Sequence, residues 1–241
     1  MGAMDDRPTA RPYRGVDAAQ RLATRRNRLL AAGLELLGAE QPDLSHVTVR
    51  RVCHESGLAV RYFYESFPDK DEFVAAVYDW AVAGLAATTQ AAIAAAPARE
   101  QTRAAVTNLV RRLAEDPRVG RLLFSIQLAN PVISRKRAES TAMFAMLSGQ
   151  HAGDTLRVPD NDRIRATSHF AVGGVGQTIS AWLAGDVRLE PDQLVDQLTS
   201  LLNELADPGL YRVTETVTGT RADPTAASRD RAATDASSSG G

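Results

Sequence analysis

Cysteine is almost absent from this chain, since Cys53 is the only one among 241 residues. A single cysteine excludes an internal disulfide, and the apolar pattern around Cys53 predicts a small core residue rather than a reactive thiol. No stretch approaches the roughly 18 consecutive apolar residues that a membrane-spanning helix needs. The first twenty residues are polar and contain no apolar segment of the kind found in secretory signals. Together these absences predict a cytoplasmic protein without a membrane partner.

Patterns of catalytic and metal-binding residues are also lacking. The sequence contains neither a G-x-S-x-G nucleophile elbow nor a phosphate-binding P-loop. Gly174-Val175-Gly176 lies within an apolar helical pattern, follows no strand, and lacks the third glycine of a dinucleotide-binding loop. No metal-ligand spacing relates the four histidines, which are His46, His54, His151 and His169. We therefore expect no enzyme activity, no cofactor and no metal site.

Basic residues are unevenly distributed along the chain. The formal net charge is −1, so the molecule as a whole does not have the charge of a basic nucleic-acid-binding protein. Between Arg7 and Arg28, however, there are seven arginines and a single acid, Asp17. Such a local excess is typical of a surface that meets phosphates; the alternative is a basic tail without a partner. Residues 1–16 are predicted to form a disordered basic arm.

Residues 47–73 predict two short helices joined by a tight turn. Thr48 is a suitable N-cap, because its hydroxyl can accept a hydrogen bond from an amide of the first helical turn. Apolar residues then recur at the spacing of one helical face. Gly57 can adopt the left-handed conformation that ends a helix. A second helix is predicted from Ala59 to Phe67, and Pro68 prevents its continuation.

The predicted second helix has two different faces. Phe63 and Phe67 are four residues apart and are expected to face inward. The opposite side carries polar residues: Arg61, Tyr62, Tyr64 and Ser66. Arginine and tyrosine side chains can donate hydrogen bonds to base edges and phosphates. This outline of helix, glycine turn and helix indicates a DNA-reading helix-turn-helix; the alternative is a structural hairpin with half-buried tyrosines.

At these residues the chain resembles the N-terminal signature of TetR-type (TetR/AcrR) bacterial transcriptional regulators. The matching residues are Thr48, Val52, Gly57, Leu58, Phe63, Tyr64, Phe67, Lys70 and Phe73. The resemblance covers about the first quarter of the chain closely, and the rest only by its helix layout. Ala59 stands where the family commonly has serine or threonine, and Arg61 where it commonly has glycine. The resemblance implies a homodimer that binds double-stranded DNA.

Ten residues are predicted to contact DNA. Base edges are assigned to the start of the second helix: Ala59, Val60, Arg61 and Tyr62. Phosphates are assigned to Thr48, Tyr64 and Lys70. Further contacts to the DNA backbone or the minor groove are assigned to Arg25, Arg26 and Arg28. A lysine at the positive end of a helix dipole is unfavourable unless an anion lies beside it, which favours a phosphate at Lys70.

The remaining periodicity predicts an all-α fold of about nine helices. Residues 17–68 are assigned to an N-terminal three-helix DNA-binding domain with the helix-turn-helix, and residues 69–212 to a helical ligand-binding and dimerisation domain. Outside the helix-turn-helix, helices are predicted at 17–39, 69–96, 99–115, 116–129, 134–149, 160–184 and 191–206. A loop is predicted over 151–159, and residues 213–241 are predicted to form a disordered tail.

The last two predicted helices are apolar over a wide arc. Three glycines (Gly173, Gly174 and Gly176) interrupt the first of them at a cost of about 1 kcal/mol each relative to alanine. Close approach of another backbone would offset that cost, so we expect a homodimer through these helices. The resemblance implies the same interface. The alternative is that both helices belong to the core of a monomer.

A small-molecule site is predicted between the central helices, which carry apolar and aromatic residues with a few polar groups. The preferred ligand contacts are Trp80, Phe124, Phe144, Phe170 and Gln177; the alternative for each is a place in the core. We expect a repressor that binds a palindromic operator and is released by a small apolar or aromatic effector. The alternative is a helical small-molecule-binding or interaction protein whose N-terminal motif is only structural.

Overall fold

A computed structural model describes residues 13–40, 47–125, 127, 128, 130–157 and 159–210. Nine α-helices lie in this part of the chain: α1 (Tyr13–Leu37), α2 (Val49–Ser56), α3 (Val60–Ser66), α4 (Lys70–Ala95), α5 (Gln101–Glu115), α6 (Pro117–Phe124), α7 (Pro131–Leu156), α8 (Asp162–Ala184) and α9 (Pro191–Glu204). These residues contain no strand, so the predicted all-α fold is confirmed. None of their helices is both long enough and apolar enough to cross a membrane. The predicted arm as far as residue 12 and the predicted tail at 213–241 lie outside the described residues.

One buried cluster joins α1, α2 and α3 to α4. Phe63 of α3 and Phe67, the residue that follows α3, are buried, which confirms that they face inward. Their ring centroids lie 5.2 and 5.1 Å from that of Phe73 in α4. Leu29 and Leu37 of α1 are fully buried in the same cluster. α1 therefore packs behind α2 and α3. Burial of these large side chains provides the main stabilisation of the helix-turn-helix that α2 and α3 form.

Capping groups determine where α2 and α3 begin and end. The Thr48 hydroxyl oxygen accepts a hydrogen bond from the Arg51 amide at 3.2 Å, as an N-cap does. Gly57 has φ = +64°, and its amide donates a hydrogen bond to the His54 carbonyl oxygen. The left-handed conformation of Gly57 lets the chain reverse direction without a clash. α3 follows as predicted, within one residue at each end.

A second buried cluster holds the C-terminal helices together. Val110 and Leu113 of α5 pack with Ile179 of α8 and with Leu194 and Leu198 of α9. The indole nitrogen of Trp182 also donates a hydrogen bond to the Leu189 carbonyl oxygen, at 2.9 Å, which stabilises the turn between α8 and α9.

Two helix bounds differ from the prediction in the first half of the chain. α1 begins at Tyr13, so the last four residues of the predicted disordered arm are helical. α6 ends at Phe124, five residues before its predicted end. Arg137 explains the early end of α6, because it donates hydrogen bonds to the carbonyl oxygens of Leu122 and Leu123. Those oxygens would otherwise accept from the amides of the next helical turn.

α7 begins three residues before its predicted start at 134. The Asn130 side-chain oxygen accepts hydrogen bonds from the amides of Val132 and Ile133, at 2.9 and 3.1 Å. Pro131 occupies the first helical position, where its lack of an amide hydrogen costs nothing. Asn130-Pro131, which the prediction treats as a break, is therefore the start of α7.

The predicted loop over 151–159 is wrong as far as Leu156, because α7 continues to that residue. Gly153 favours a loop in the sequence, and the preceding helix is predicted to end at Gly149, but Gly149 lies close to α8. A Cβ atom at Gly149 would be 3.2 Å from the Ser168 hydroxyl oxygen. Packing of α7 on α8 at this point compensates for the low helix propensity of glycine.

Candidate nucleic-acid interface

α3 presents a polar surface opposite its buried phenylalanines. Tyr64 is 58% exposed, and Val60 and Arg61 are exposed as well. Ala59, the N-cap residue, is exposed, whereas Tyr62 is half-buried. The residues predicted to read bases therefore lie together at the N-terminal end of α3.

Two guanidinium groups lie against the ring of Tyr62. Arg25 of α1 has its Cζ 4.4 Å from the ring centroid, and Arg61 has its Cζ 4.5 Å from it. Arg61 also donates a hydrogen bond from Nη2 to the Tyr62 hydroxyl oxygen at 2.5 Å, and this bond raises the pKa of Arg61. Arg25 Nη1 lies 3.2 Å from Glu65 Oε2. Glu65 thus offsets one of the two cations that the aromatic ring attracts.

The neighbouring arginines of α1 bond to the ends of α2 and α3. Arg26 Nη1 donates to the Ser66 carbonyl oxygen at 2.8 Å, and its Cζ lies 4.3 Å from the centroid of the Phe67 ring. Arg28 Nη2 donates to the Ser56 carbonyl oxygen at 2.7 Å. Cations suit these positions, because carbonyl groups at a helix C-terminus carry partial negative charge. DNA contact by Arg26 and Arg28 remains a prediction.

Three further cations lie at the first turns of α2 and α4. Lys70 directly follows Asp69, the N-cap of α4. Arg50 and Arg51 follow Thr48 in α2 and are not among the predicted DNA contacts. Both are exposed, and neither pairs with a carboxylate of the described residues. In the sequence they can be recognised as a pair of arginines at the second and third positions after an N-cap residue.

Solved structures share this arrangement of helices. The fatty acid degradation regulator FadR from Bacillus halodurans is similar with a TM-score of 0.62 and 14% identity, over 78% of this chain and 97% of that chain. A TetR family transcription regulator from Marinobacter aquaeolei VT8 is similar with a TM-score of 0.55 and 14% identity, over 78% and 97%. This is the fold of the TetR-family transcriptional regulators. The resemblance to this family that was noted at residues 48–73 is confirmed at the level of the fold.

A third neighbour with the TetR fold is the transcriptional regulator FadR from Bacillus subtilis, solved in complex with stearoyl-CoA. It is similar to this chain with a TM-score of 0.56 and 16% identity, over 75% of this chain and 97% of that chain. The sequence itself matches no family model and no curated protein.

In this TetR fold, α6 is bonded to the end of α1. Arg118 of α6 pairs with Glu35 of α1 and also with Asp116, the N-cap of α6. The hydrogen bond from Arg118 lowers the pKa of Asp116. Arg121 Nε donates to the Gly38 carbonyl oxygen at 2.5 Å. A movement of α6 would therefore be transmitted to the helix that packs behind the helix-turn-helix.

The five predicted ligand contacts are dispersed over the central helices. Phe124 and Phe144 are half-buried. Trp80 is 38% exposed and Phe170 is 69% exposed. Gln177 is exposed on the same helix as Phe170. Ligand contact by these residues remains a prediction.

Two open grooves lie in the described part of the C-terminal helices, and none of the five predicted contacts lines them. The larger, of about 890 Å³, lies between α7 and α8 and is lined by Met146, Arg165 and His169 among others. The smaller, of about 320 Å³, lies between α4 and α5 beside Arg103 and Asn108. Among the described residues, no cluster of histidine, cysteine and acidic side chains is arranged to hold a metal ion.

Proposed function

We propose that this protein is a DNA-binding transcriptional regulator whose α3 enters the major groove. The observation that carries the proposal is the division of α3 into two faces. Phe63 and Phe67 fix one face in the core, so the orientation of the helix is determined. Arg61 and Tyr64 therefore project from the surface as hydrogen-bond donors suited to base edges and phosphates. The TetR fold of the chain supports the same function.

Within this proposal the contacts divide by chemistry. Arg61 and Tyr62 read base edges, and the small apolar side chains of Ala59 and Val60 meet thymine methyl groups. Phosphates are bound by Thr48, Tyr64 and Lys70, with further contacts from Arg50 and Arg51. Each cation that meets a phosphate releases counterions, so affinity falls steeply as salt increases.

We also propose a homodimer formed through α8 and α9. On the outer surface of α8, Phe170 is 69% exposed. A Cβ atom at Gly173 or Gly174 would meet nothing within 4 Å. In a single chain nothing offsets the helix-propensity cost of these glycines, about 1 kcal/mol each. A second α8 related by a two-fold axis would approach the glycines closely and cover Phe170.

The dimer determines the form of the operator. Two copies of α3 related by a two-fold axis read the same sequence on opposite strands. The operator is therefore a palindrome with half-sites about one helical turn, or a multiple of it, apart.

We further propose that the protein is a repressor released by a small apolar or aromatic effector. The stearoyl-CoA held by the B. subtilis FadR structure supports an apolar ligand for this fold. Phe124 is the last residue of α6, the helix that Arg118 and Arg121 bond to the end of α1. A ligand that binds more tightly to the conformation with α6 displaced would shift α1 and tilt α4. The separation of the two α3 helices in the dimer would then change.

Selection of bound sequences from a random double-stranded DNA library at physiological salt tests the DNA-binding function. The proposal predicts recovery of a single palindrome. Arg61→Ala should relax the preference at one position of each half-site, at a cost of about 1–3 kcal/mol. Arg99→Ala is the matched control, because Arg99 is an exposed arginine far from α3 in the sequence. Recovery of no preferred sequence by the parent protein would contradict the proposal.

A further inference from the structure

Glu65 is the only residue of α3 with a carboxylate, and that carboxylate forms an ion pair with a residue of another helix. Arg25 of α1 has its Nη1 3.2 Å from Glu65 Oε2, and the same guanidinium lies 4.4 Å from the Tyr62 ring centroid. A carboxylate beside a base edge accepts hydrogen bonds, and cytosine offers a matching donor at N4 in the major groove. The contact with Arg25 thus occupies the only carboxylate of α3 that could accept a hydrogen bond from cytosine.

Arg61 and Tyr62, on the same helix as Glu65, can both donate hydrogen bonds. Tyr62 accepts a hydrogen bond from Arg61 Nη2 at its hydroxyl oxygen, at 2.5 Å. Its own hydroxyl hydrogen can therefore be donated to an acceptor on another molecule. Arg61 is exposed, and a guanidinium has five N–H donors and no acceptor. The pair formed by Arg61 and Tyr62 consequently presents donors to the groove.

Guanine is the base that matches this surface. Its major-groove edge offers two acceptors, N7 and O6, whereas adenine combines one acceptor with the N6 donor. Thymine offers one acceptor beside a methyl group, and cytosine offers a donor. When Glu65 is paired with Arg25, the hydrogen-bond donors of Arg61 and Tyr62 therefore favour guanine over the other three bases.

We propose that Arg25 is a specificity-determining residue: by binding Glu65 and resting on Tyr62, it leaves α3 without a free carboxylate and directs Arg61 to a guanine in each half-site. The inference rests on the proposed DNA-binding function and names the base that the site takes. Arg25 acts through Glu65 and Tyr62 and is a positioning residue. This role differs from the contact to the DNA backbone that the sequence predicts for Arg25.

The test measures binding to the selected operator with each of the four bases at the predicted guanine position. The parent protein should prefer guanine by roughly tenfold or more, the range of one bidentate arginine contact. Arg25→Leu frees Glu65 and should reduce that preference by roughly tenfold, with cytosine gaining most. Arg25→Lys keeps a cation beside Glu65 and should remain close to the parent protein.

A double variant separates the masking of Glu65 from other effects of Arg25. Adding Glu65→Ala to Arg25→Leu removes the freed acceptor and should restore most of the guanine preference. Glu65→Ala alone should leave the preference for guanine as it is in the parent protein. Helical content and the thermal midpoint, measured for every variant, verify that each one is folded.

Three outcomes would overturn the inference while leaving the DNA-binding function intact. The first is that Arg25→Leu weakens binding to all four operators equally and flattens the salt dependence by about one unit, which identifies a phosphate contact. The second is that the double variant fails to recover the guanine preference, so that Glu65 is not the group that Arg25 masks. The third is that Glu65→Ala alone changes the base preference, which makes Glu65 itself a reading residue. Absence of any preferred sequence for the parent protein would instead contradict the proposed function.

Discussion

Arg137 of α7 donates a hydrogen bond from Nε to the Leu123 carbonyl oxygen at 3.0 Å, and thereby holds the C-terminal end of α6. Its Nη2 makes a second hydrogen bond to the Leu122 carbonyl oxygen at 2.9 Å. Burial lowers the pKa of Arg137 below its ordinary value. A half-buried cation that bonds to two carbonyl groups fixes where one helix ends and how the next is placed.

Arg137→Leu should destabilise the protein by about 1–3 kcal/mol, because two buried carbonyl groups lose their charged donor. Arg135→Leu is the matched control on the same helix. Arg135 is exposed and pairs with Glu139 at 3.7 Å, so its loss should change stability by less than about 1 kcal/mol. Urea unfolding followed by circular dichroism gives both values. Equal effects of the two substitutions would refute this role of Arg137.

Substitution of glycine by alanine should change the stability of the protein in opposite directions at two positions. Gly57→Ala places a Cβ on a residue with φ = +64° and 3.1 Å from Arg28 Nη2, so it should destabilise the protein by roughly 1–2 kcal/mol. Gly84 lies within α4, and a Cβ there would meet nothing within 4 Å. Gly84→Ala should therefore stabilise the protein by about 0.5–1 kcal/mol. Thermal unfolding of both variants checks the signs, and destabilisation by Gly84→Ala would show a neighbour that a single chain does not provide.

Local signals in the sequence were sufficient to predict the helix-turn-helix. Thr48, Gly57 and Pro68 each act within a few residues, so the bounds of α2 and α3 follow from them. The length of α7 did not follow, because α7 packs on another helix, α8, around Gly149, where the sequence predicts the helix to end.

The intramolecular partners of the α1 arginines could not be predicted from the sequence either. Arg25, Arg26 and Arg28 bond to residues 28 to 40 positions later in the chain. A cluster of arginines indicates positive charge, but only the packing of α1 on α2 and α3 reveals that Glu65 and two helix ends are close enough to bond. For the same reason the composition of the central helices did not distinguish the exposed Phe170 from the half-buried Phe144.

The two lysines of the chain, Lys70 and Lys136, provide a test residue and a control for the predicted phosphate contacts. Lys70→Ala should weaken binding to all DNA sequences alike and reduce the slope of log K against log salt by about one unit. Lys136 pairs with Asp79 and Glu139 on the C-terminal helices. Lys136→Ala should therefore leave the slope unchanged. Fluorescence anisotropy over a salt series measures both, and identical slopes for the two variants would remove Lys70 from the phosphate contacts.

The proposed dimer should depend on Phe170. Phe170→Glu places two like charges at the centre of the α8 surface, so the protein should become a monomer of 25.9 kDa and lose most of its operator affinity. Met146→Glu is the matched control, because Met146 is 56% exposed on α7 and lies in the groove between α7 and α8. Light scattering at micromolar concentration measures the mass of each variant. A parent protein that is itself a monomer would refute the proposed interface.

Protection of guanine N7 from methylation on the selected operator tests most directly whether α3 lies in the major groove, since N7 is exposed only there. Protection is expected in two patches related by the operator dyad, one helical turn or a multiple of it apart, with loss of protection at one guanine of each patch in Arg61→Ala. Binding of the parent protein that leaves every N7 reactive would contradict the proposed function, because α3 would then not occupy the groove.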